Sequence, residues 1–296
     1  MEKILITGHT LTLEELAAVC RDNAPVALAP EAKQRILESR QVVDMLVDEA
    51  AVVYGITTGF GKFSDVIITQ DECRQLQRNL IVTHAVGAGD PFPRDVARGI
   101  MLLRVNNLAK GFSGTRLELV ETLVAMLNRG VTPVIPQKGS LGASGDLAPL
   151  SHMVLPMLGL GQAEYEGEVL PGDVAMERAG IPTVELVAKE GLALINGTQA
   201  MTSVGALAVY DAIGLMKAAD IAAAMSFEAN RGVEDALDPR VHAVRPHDGQ
   251  MKTAANLRNL LFGSGNVTCQ GEIRVQDGYS LRCVPQVHGA SQDAIN

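Results

Sequence analysis

A chain of 296 residues that is 47% hydrophobic and 20% charged holds enough apolar material for one large or two ordinary cores, and that composition argues against disorder. A net charge of −9 with no basic stripe argues against nucleic acid as a partner. Aromatic residues make up only 3% and Trp is absent, so the core must be built from Leu, Val, Ile, Ala and Met, which suits close helix packing.

In chain order, Lys3 to Thr7 alternates like a short strand, and Thr12 with Glu15 reads as a capping box opening a helix. Pro30 starts an amphipathic helix to about Ala51 with Ile36, Val43, Leu46 and Val47 on one face. The run YGITTGFGKFSDV (54–66) has three glycines and two threonines and predicts a loop. Gln70 to Thr83 returns to helical period. Pro93 fits the first turn of a helix carrying Val96, Ile100, Leu103 and Leu108. Ser113 is expected to cap the next helix, which stops at Gly130. Val131 to Ile135 is extended, 137–152 is a glycine-rich loop running into a helix, and Glu164 to Leu170 predicts a hairpin around Gly167. Gln199 to Ala229 is one long alanine-rich helix, a further helix spans roughly Gly249 to Phe262, and the tail opens a new structured segment.

The apolar stretch 192–225 is interrupted by Asn196, Gln199, Asp211, Lys217 and Asp220, which predicts a buried helix rather than a membrane span. MEKILITG is too short and too charged for a signal peptide. Cys20, Cys73, Cys269 and Cys283 form no CxxC pair and read as reduced thiols of a cytoplasmic protein.

Five segments carry candidate chemistry. In GASGD (142–146), Ser144 or Asp146 can simply cap a helix. The tripeptide Ala143-Ser144-Gly145 can also react with itself: the unhindered Gly145 nitrogen attacks the Ala143 carbonyl, a five-membered ring closes around Ser144, and loss of the serine hydroxyl leaves an exocyclic methylene. Tyr54 is either a packed tyrosine or a base whose pKa is lowered by nearby donors. His84 is either a cation closing a helix or a ligand for substrate. Asn196, in LINGTQ, can be a cap or a site group. Arg282, in QDGYSLRC, can pair with a surface acid or grip a carboxylate bidentately.

Together, YGITTGFG, NLIVTHAVG, LAKGFSGTR, GSLGASGDLAPLSH, EGLALINGTQ and VQDGYSLRCVPQVHG resemble, in order, the aromatic amino acid ammonia-lyase family, whose members use a self-made methylidene-imidazolone (MIO). The resemblance implies a mainly α fold: an N-terminal MIO-bearing domain with short strands over 1–195, then, over 196–296, the beginning of a central bundle of long helices. The chain looks like the N-terminal part of a family member, without the later helical region that supplies another active-site acid.

The resemblance further implies that Ala143, Ser144 and Gly145 become MIO with help from Asp146. It makes Tyr54 the base for the substrate β-proton and places Gly61 near the substrate. Asn196 orients the MIO carbonyl and the substrate, Tyr279 joins the catalytic residues, Gln276 contacts the substrate, and Arg282 binds its carboxylate. It implies no metal, and a homotetramer whose active sites are shared between subunits. Thr83-His84 is similar to the Ser-His pair of the family's histidine-specific branch, with His84 placed to bind an imidazole. Elimination of ammonia from L-histidine is therefore expected. The alternatives are a phenylalanine or tyrosine ammonia-lyase, an aminomutase, or a truncated helical scaffold without catalysis. Gly278 departs from the Pro or Ala that the family more often carries there.

Overall fold

The computed structural model describes residues 3–49, 51–53, 55–58, 70–141 and 144–296, the side chains of residues 70 and 71 excepted. Tyr54, Gly61 and Ala143 lie outside the described residues.

The fold is mainly α. Strand β1 (Ile4–Ile6) pairs in parallel with β2 (Val26–Leu28), and α1 (Leu13–Arg21) is the crossover that parallel pairing requires. Both halves of the expected capping box form: the Thr12 side chain accepts from the Glu15 amide, and Glu15 accepts from the Thr12 amide. Helix α2 (Pro30–Asp48) begins on its proline and buries Ile36 and Val43, while Leu46 and Val47 are only half-buried. Helix α3 (Gln70–His84), strand β3 (Ala88–Pro91) and α4 (Arg94–Leu108) follow.

Helix α5 (Leu117–Arg129) corrects one expectation, because Ser113 does not cap it. The capping position is Arg116, whose backbone amide donates 3.0 Å to Glu190 Oε1. Entry into α5 is thus set by a residue 74 positions away rather than by a local hydroxyl.

Beyond α5, β4 (Thr132–Pro133) joins a three-stranded sheet with β6 (Gln162–Tyr165) and β7 (Glu168–Pro171). The β6–β7 turn has φ of 52° at Glu166 and 83° at Gly167, the positive pair that matches strand twist in a two-residue hairpin. Strand β5 (Pro136–Lys138) pairs with β3, and α6 (Leu147–Val154), α7 (Gly172–Arg178), α8 (Glu190–Ile195) and α9 (Gln199–Ala229) complete this stretch. Four helices remain: α10 (Pro239–Ala243), α11 (Asp248–Leu261), α12 (Tyr279–Arg282) and α13 (Val284–Ile295).

The chain divides into two compact units, one up to Leu207 and one from Ala208 to Asn296. In the first, α4 lies against α1 and α5, burying Ile100, Met101, Val105 and Leu108 with Leu16, Val19 and Leu123. Side chains of this size contribute about 1.5–3 kcal/mol each when fully buried. In the second, Phe227, Leu237, Leu257, Leu261 and Val284 form the core. There Asp220 accepts from His288 Nδ1 at 2.8 Å and from Asn256 Nδ2 at 2.9 Å, tying α9 to α13 and α11. Among the described residues no helix is long and apolar enough to cross a membrane.

Candidate active site

The first unit brings two distant turns together. Gly145 and Gly197 pair as a parallel β-bridge, and the Asp146 amide donates 2.6 Å to the Gly197 carbonyl. Asn196 ends α8 and Gln199 begins α9, so the pairing lays the Asn196–Thr198 turn beside Ser144–Asp146. Gly145 adopts φ +89°, and a β-carbon there would stand 2.1 Å from the Gly197 oxygen. Only glycine meets both demands. Ser144 and Asn196 are exposed.

Asp146 occupies the capping position of α6, yet its side chain does not cap that helix. Its carboxylate is buried, at 4% exposure, and reaches elsewhere. Oδ1 accepts 2.7 Å from the Ser140 hydroxyl, and Oδ2 accepts 3.0 Å from the Met201 amide in the first turn of α9. A carboxylate at that end complements the helix dipole. The same residue therefore ties Ser140 to the start of α6 and docks that start on α9.

His84 ends α3. Its Nδ1–H donates 2.8 Å to the Leu80 carbonyl, which leaves Nε2 of the neutral ring as an acceptor. The Thr83 hydroxyl donates 2.7 Å to the Asn79 carbonyl. Just beyond, the Gly87 amide donates 3.0 Å to His152 Nε2 on α6, and Ala88 pairs with Lys138. The segment leaving His84 thus runs alongside β5, which ends at Lys138, and against α6. Burial lowers the His152 pKa from its ordinary value, in keeping with an imidazole that accepts rather than donates.

Gln276, Tyr279 and Arg282 belong to the second unit. Gln276 and Arg282 line one cavity of about 270 Å³ with Val233, Asp235, Gln270 and Asp277. The Arg282 guanidinium stacks 4.4 Å above the Tyr279 ring, and its Nε is buried with no hydrogen-bond partner. Asp277, 5% exposed, accepts from the Val233 amide at 2.6 Å and fixes the turn between Gln276 and Tyr279.

Sequence reasoning passed over several supports. Arg104 lies buried behind Gly197 and donates 2.6 Å to Gln199 Oε1. Its signal was a cation inside the apolar stripe Ala97, Met101, Leu108 of α4. Glu190 is fully buried and takes both Nε and Nη2 of Arg116 at 2.9 Å. Among the described residues no group of three His, Cys, Asp or Glu side chains is placed to hold a metal.

The residues present fit the prosthetic group that the sequence resemblance implies. Ring closure through the Gly145 nitrogen needs a third residue without a side chain, and the Gly197 carbonyl leaves no room for one. Ser144, whose hydroxyl is the group to be lost, is exposed.

Histidine ammonia-lyase of Clostridium tetani is 60% identical over 296 residues, which cover 100% of this chain and 58% of that protein. The corresponding protein of Alkaliphilus oremlandii is 61% identical over 295 residues, again 100% and 58%. Among solved structures, tyrosine aminomutase from Streptomyces globisporus superposes with a TM-score of 0.93 at 37% identity, covering 99% of this chain and 59% of that one. Histidine ammonia-lyase from Trypanosoma cruzi gives 0.90 at 40% identity, covering 99% and 54%. The chain spans little more than half the length of the curated relatives it matches. The family model of aromatic amino acid lyases matches residues 11–296, and the chain belongs to that family.

Proposed function

We propose that this chain is part of a lyase that eliminates ammonia from L-histidine to give trans-urocanate. The observation carrying the reading is the Gly145–Gly197 pairing, which holds a side-chain-free third position and an exposed Ser144 beside Asn196. Similarity along the whole chain to histidine ammonia-lyases supports the substrate.

MIO, formed from Ala143, Ser144 and Gly145, supplies an electrophile that no side chain offers. The chain's own residues do the rest. Asp146 and Gly197 hold the tripeptide in place. Arg282 grips the substrate carboxylate in the bidentate geometry that a guanidinium allows. His84 accepts the imidazole N–H of the substrate at Nε2. Asn196 orients the substrate, with Gly61 near it and Gln276 and Tyr279 along the wall. Tyr54 takes the β-proton.

The same reading makes the working assembly a cytoplasmic homotetramer with shared active sites. Exposed Leu215, Ile221 and Met225 on α9 favour association, and the four free cysteines favour a reducing compartment.

The test is incubation with histidine, phenylalanine and tyrosine while following the ultraviolet absorbance of the unsaturated acid. Histidine alone is expected to give signal, and no signal with histidine overturns the assignment. A β-amino acid product identifies an aminomutase instead. Ser144→Ala should abolish turnover and shift stability by less than about 0.5 kcal/mol, as expected for an exposed side chain. Turnover in that variant refutes the MIO reading.

A further inference from the structure

We propose that Arg104 is a positioning residue for formation of the prosthetic group: buried behind the Asn196–Gln199 turn, its guanidinium holds that turn against Ser144–Asp146 and so governs how completely the tripeptide closes. The inference rests on the reading of residues 143–145 as an MIO precursor.

The argument begins with an anomaly in α4. Ala97, Met101 and Leu108 form a buried stripe, and an apolar residue at 104 would continue it. Arginine stands there instead, at 1% exposure. A guanidinium out of water is costly unless its donors are used. Nη1 donates 3.1 Å to the Ala193 carbonyl in α8 and Nη2 donates 2.6 Å to Gln199 Oε1 at the first residue of α9, while Nε is buried without a partner. One planar fork therefore bridges the end of one helix and the start of the next, across the turn that carries Asn196 and Gly197.

Gly197 is gripped from two sides. A β-carbon on it would stand 2.3 Å from Gln199 Oε1 and 2.5 Å from Arg104 Nη2, so the arginine–glutamine pair fills the space a side chain would need. Its carbonyl meets Gly145 and accepts from the Asp146 amide. Asp146 holds the first turn of α9 through the Met201 amide, while Arg104 holds the same turn through Gln199. Displacing Arg104 thus shifts the surface against which Gly145 is seated. Burial lowers the Arg104 pKa to about 10, and the Asp146 charge opposes that fall, so the guanidinium stays charged at neutral pH.

The chemistry that depends on this seating balances without an oxidant or reductant. A bond forms from the Gly145 nitrogen to the Ala143 carbonyl carbon. The Ala143 oxygen leaves as water with the amide protons of Gly145 and Ser144, giving a C=N bond to the Ser144 nitrogen. The Ser144 hydroxyl leaves with its α-hydrogen as a second water, giving the methylene.

Intact mass spectrometry of the purified wild-type chain, Arg104→Met and Arg104→Lys tests the proposal, with thermal melting as the control for folding. Wild type should be two waters lighter than its sequence. Folded Arg104→Met should show a several-fold larger fraction at the unmodified mass, and Arg104→Lys, which keeps the charge but not the fork, should lie between. A folded Arg104→Met as fully dehydrated as wild type overturns the inference. If that variant does not fold, Arg104→Lys is read alone: excess unmodified chain supports the proposal, and wild-type dehydration overturns it. A wild-type mass equal to the unmodified sequence instead overturns the MIO reading itself, and the inference with it.

Discussion

Gly145 and Gly197 meet backbone to backbone, with the Gly197 carbonyl oxygen and carbon 2.1 and 2.7 Å from where a β-carbon on Gly145 would lie. This contact joins residues 52 positions apart in sequence through a single β-bridge. Gly145→Ala must break it and also strain a residue at φ +89°. We expect a loss of about 1–3 kcal/mol in stability, seen as a lower denaturation midpoint, together with a mass equal to the unmodified sequence. An alanine variant that matures and turns over normally contradicts the seating described above.

Glu190 is fully buried, and its carboxylate receives Arg116 Nε, Arg116 Nη2, the Arg116 amide and the Val187 amide. It ties the start of α5 to the start of α8, the helix that ends on Asn196. Glu190→Ala leaves these donors unmatched and should cost about 3–5 kcal/mol, measured by urea unfolding. Glu190→Gln keeps one acceptor oxygen and should cost less than alanine.

His152 supplies a pH signature. Its imidazole accepts from the Gly87 amide, and burial lowers its pKa, so the fold favours the neutral ring. A depressed histidine pKa contributes stability that is present above the unfolded value and lost as pH falls through the folded one. The melting temperature of wild type should therefore fall between about pH 7 and pH 5 by more than that of His152→Gln, whose amide accepts without titrating. Equal pH dependence in the two proteins removes this role.

The thiols should separate by environment. Cys269 is exposed, whereas burial pushes Cys20 up to about 12 and raises Cys73. Only the thiolate is reactive. Native-state labelling should modify Cys269 first, and Cys20 and Cys73 should react only in denaturant. Rapid labelling of Cys20 in the folded chain would contradict its burial.

Much was legible from short stretches of sequence. The Thr12–Glu15 capping box, the Glu166-Gly167 hairpin and the long helix from Gln199 to Ala229 depend on residues a few positions apart, so propensity and spacing suffice to specify them. Ser144, Asp146 and Asn196 were legible as candidate site residues only through the resemblance of GSLGASGDLAPLSH and EGLALINGTQ to family motifs, since each run alone reads equally well as a helix cap. The entry to α5 was not. Ser113 is a sound local cap, but a buried Glu190 offered Arg116 a stronger partner from far along the chain.

What the sequence determined by itself was therefore the longer helices, such as α2, α4 and α9, the hairpin and the candidate tripeptide Ala143-Ser144-Gly145. Tertiary structure alone decided that Gly145 seats on Gly197, that Asp146 turns from its own helix to serve α9, and that Arg104 stands behind the turn as a buried fork. The reason is physical. A β-bridge across 52 residues and a guanidinium bonded across 95 exist only after α4, α6, α8 and α9 have packed, and no local preference at either end records the partner at the other.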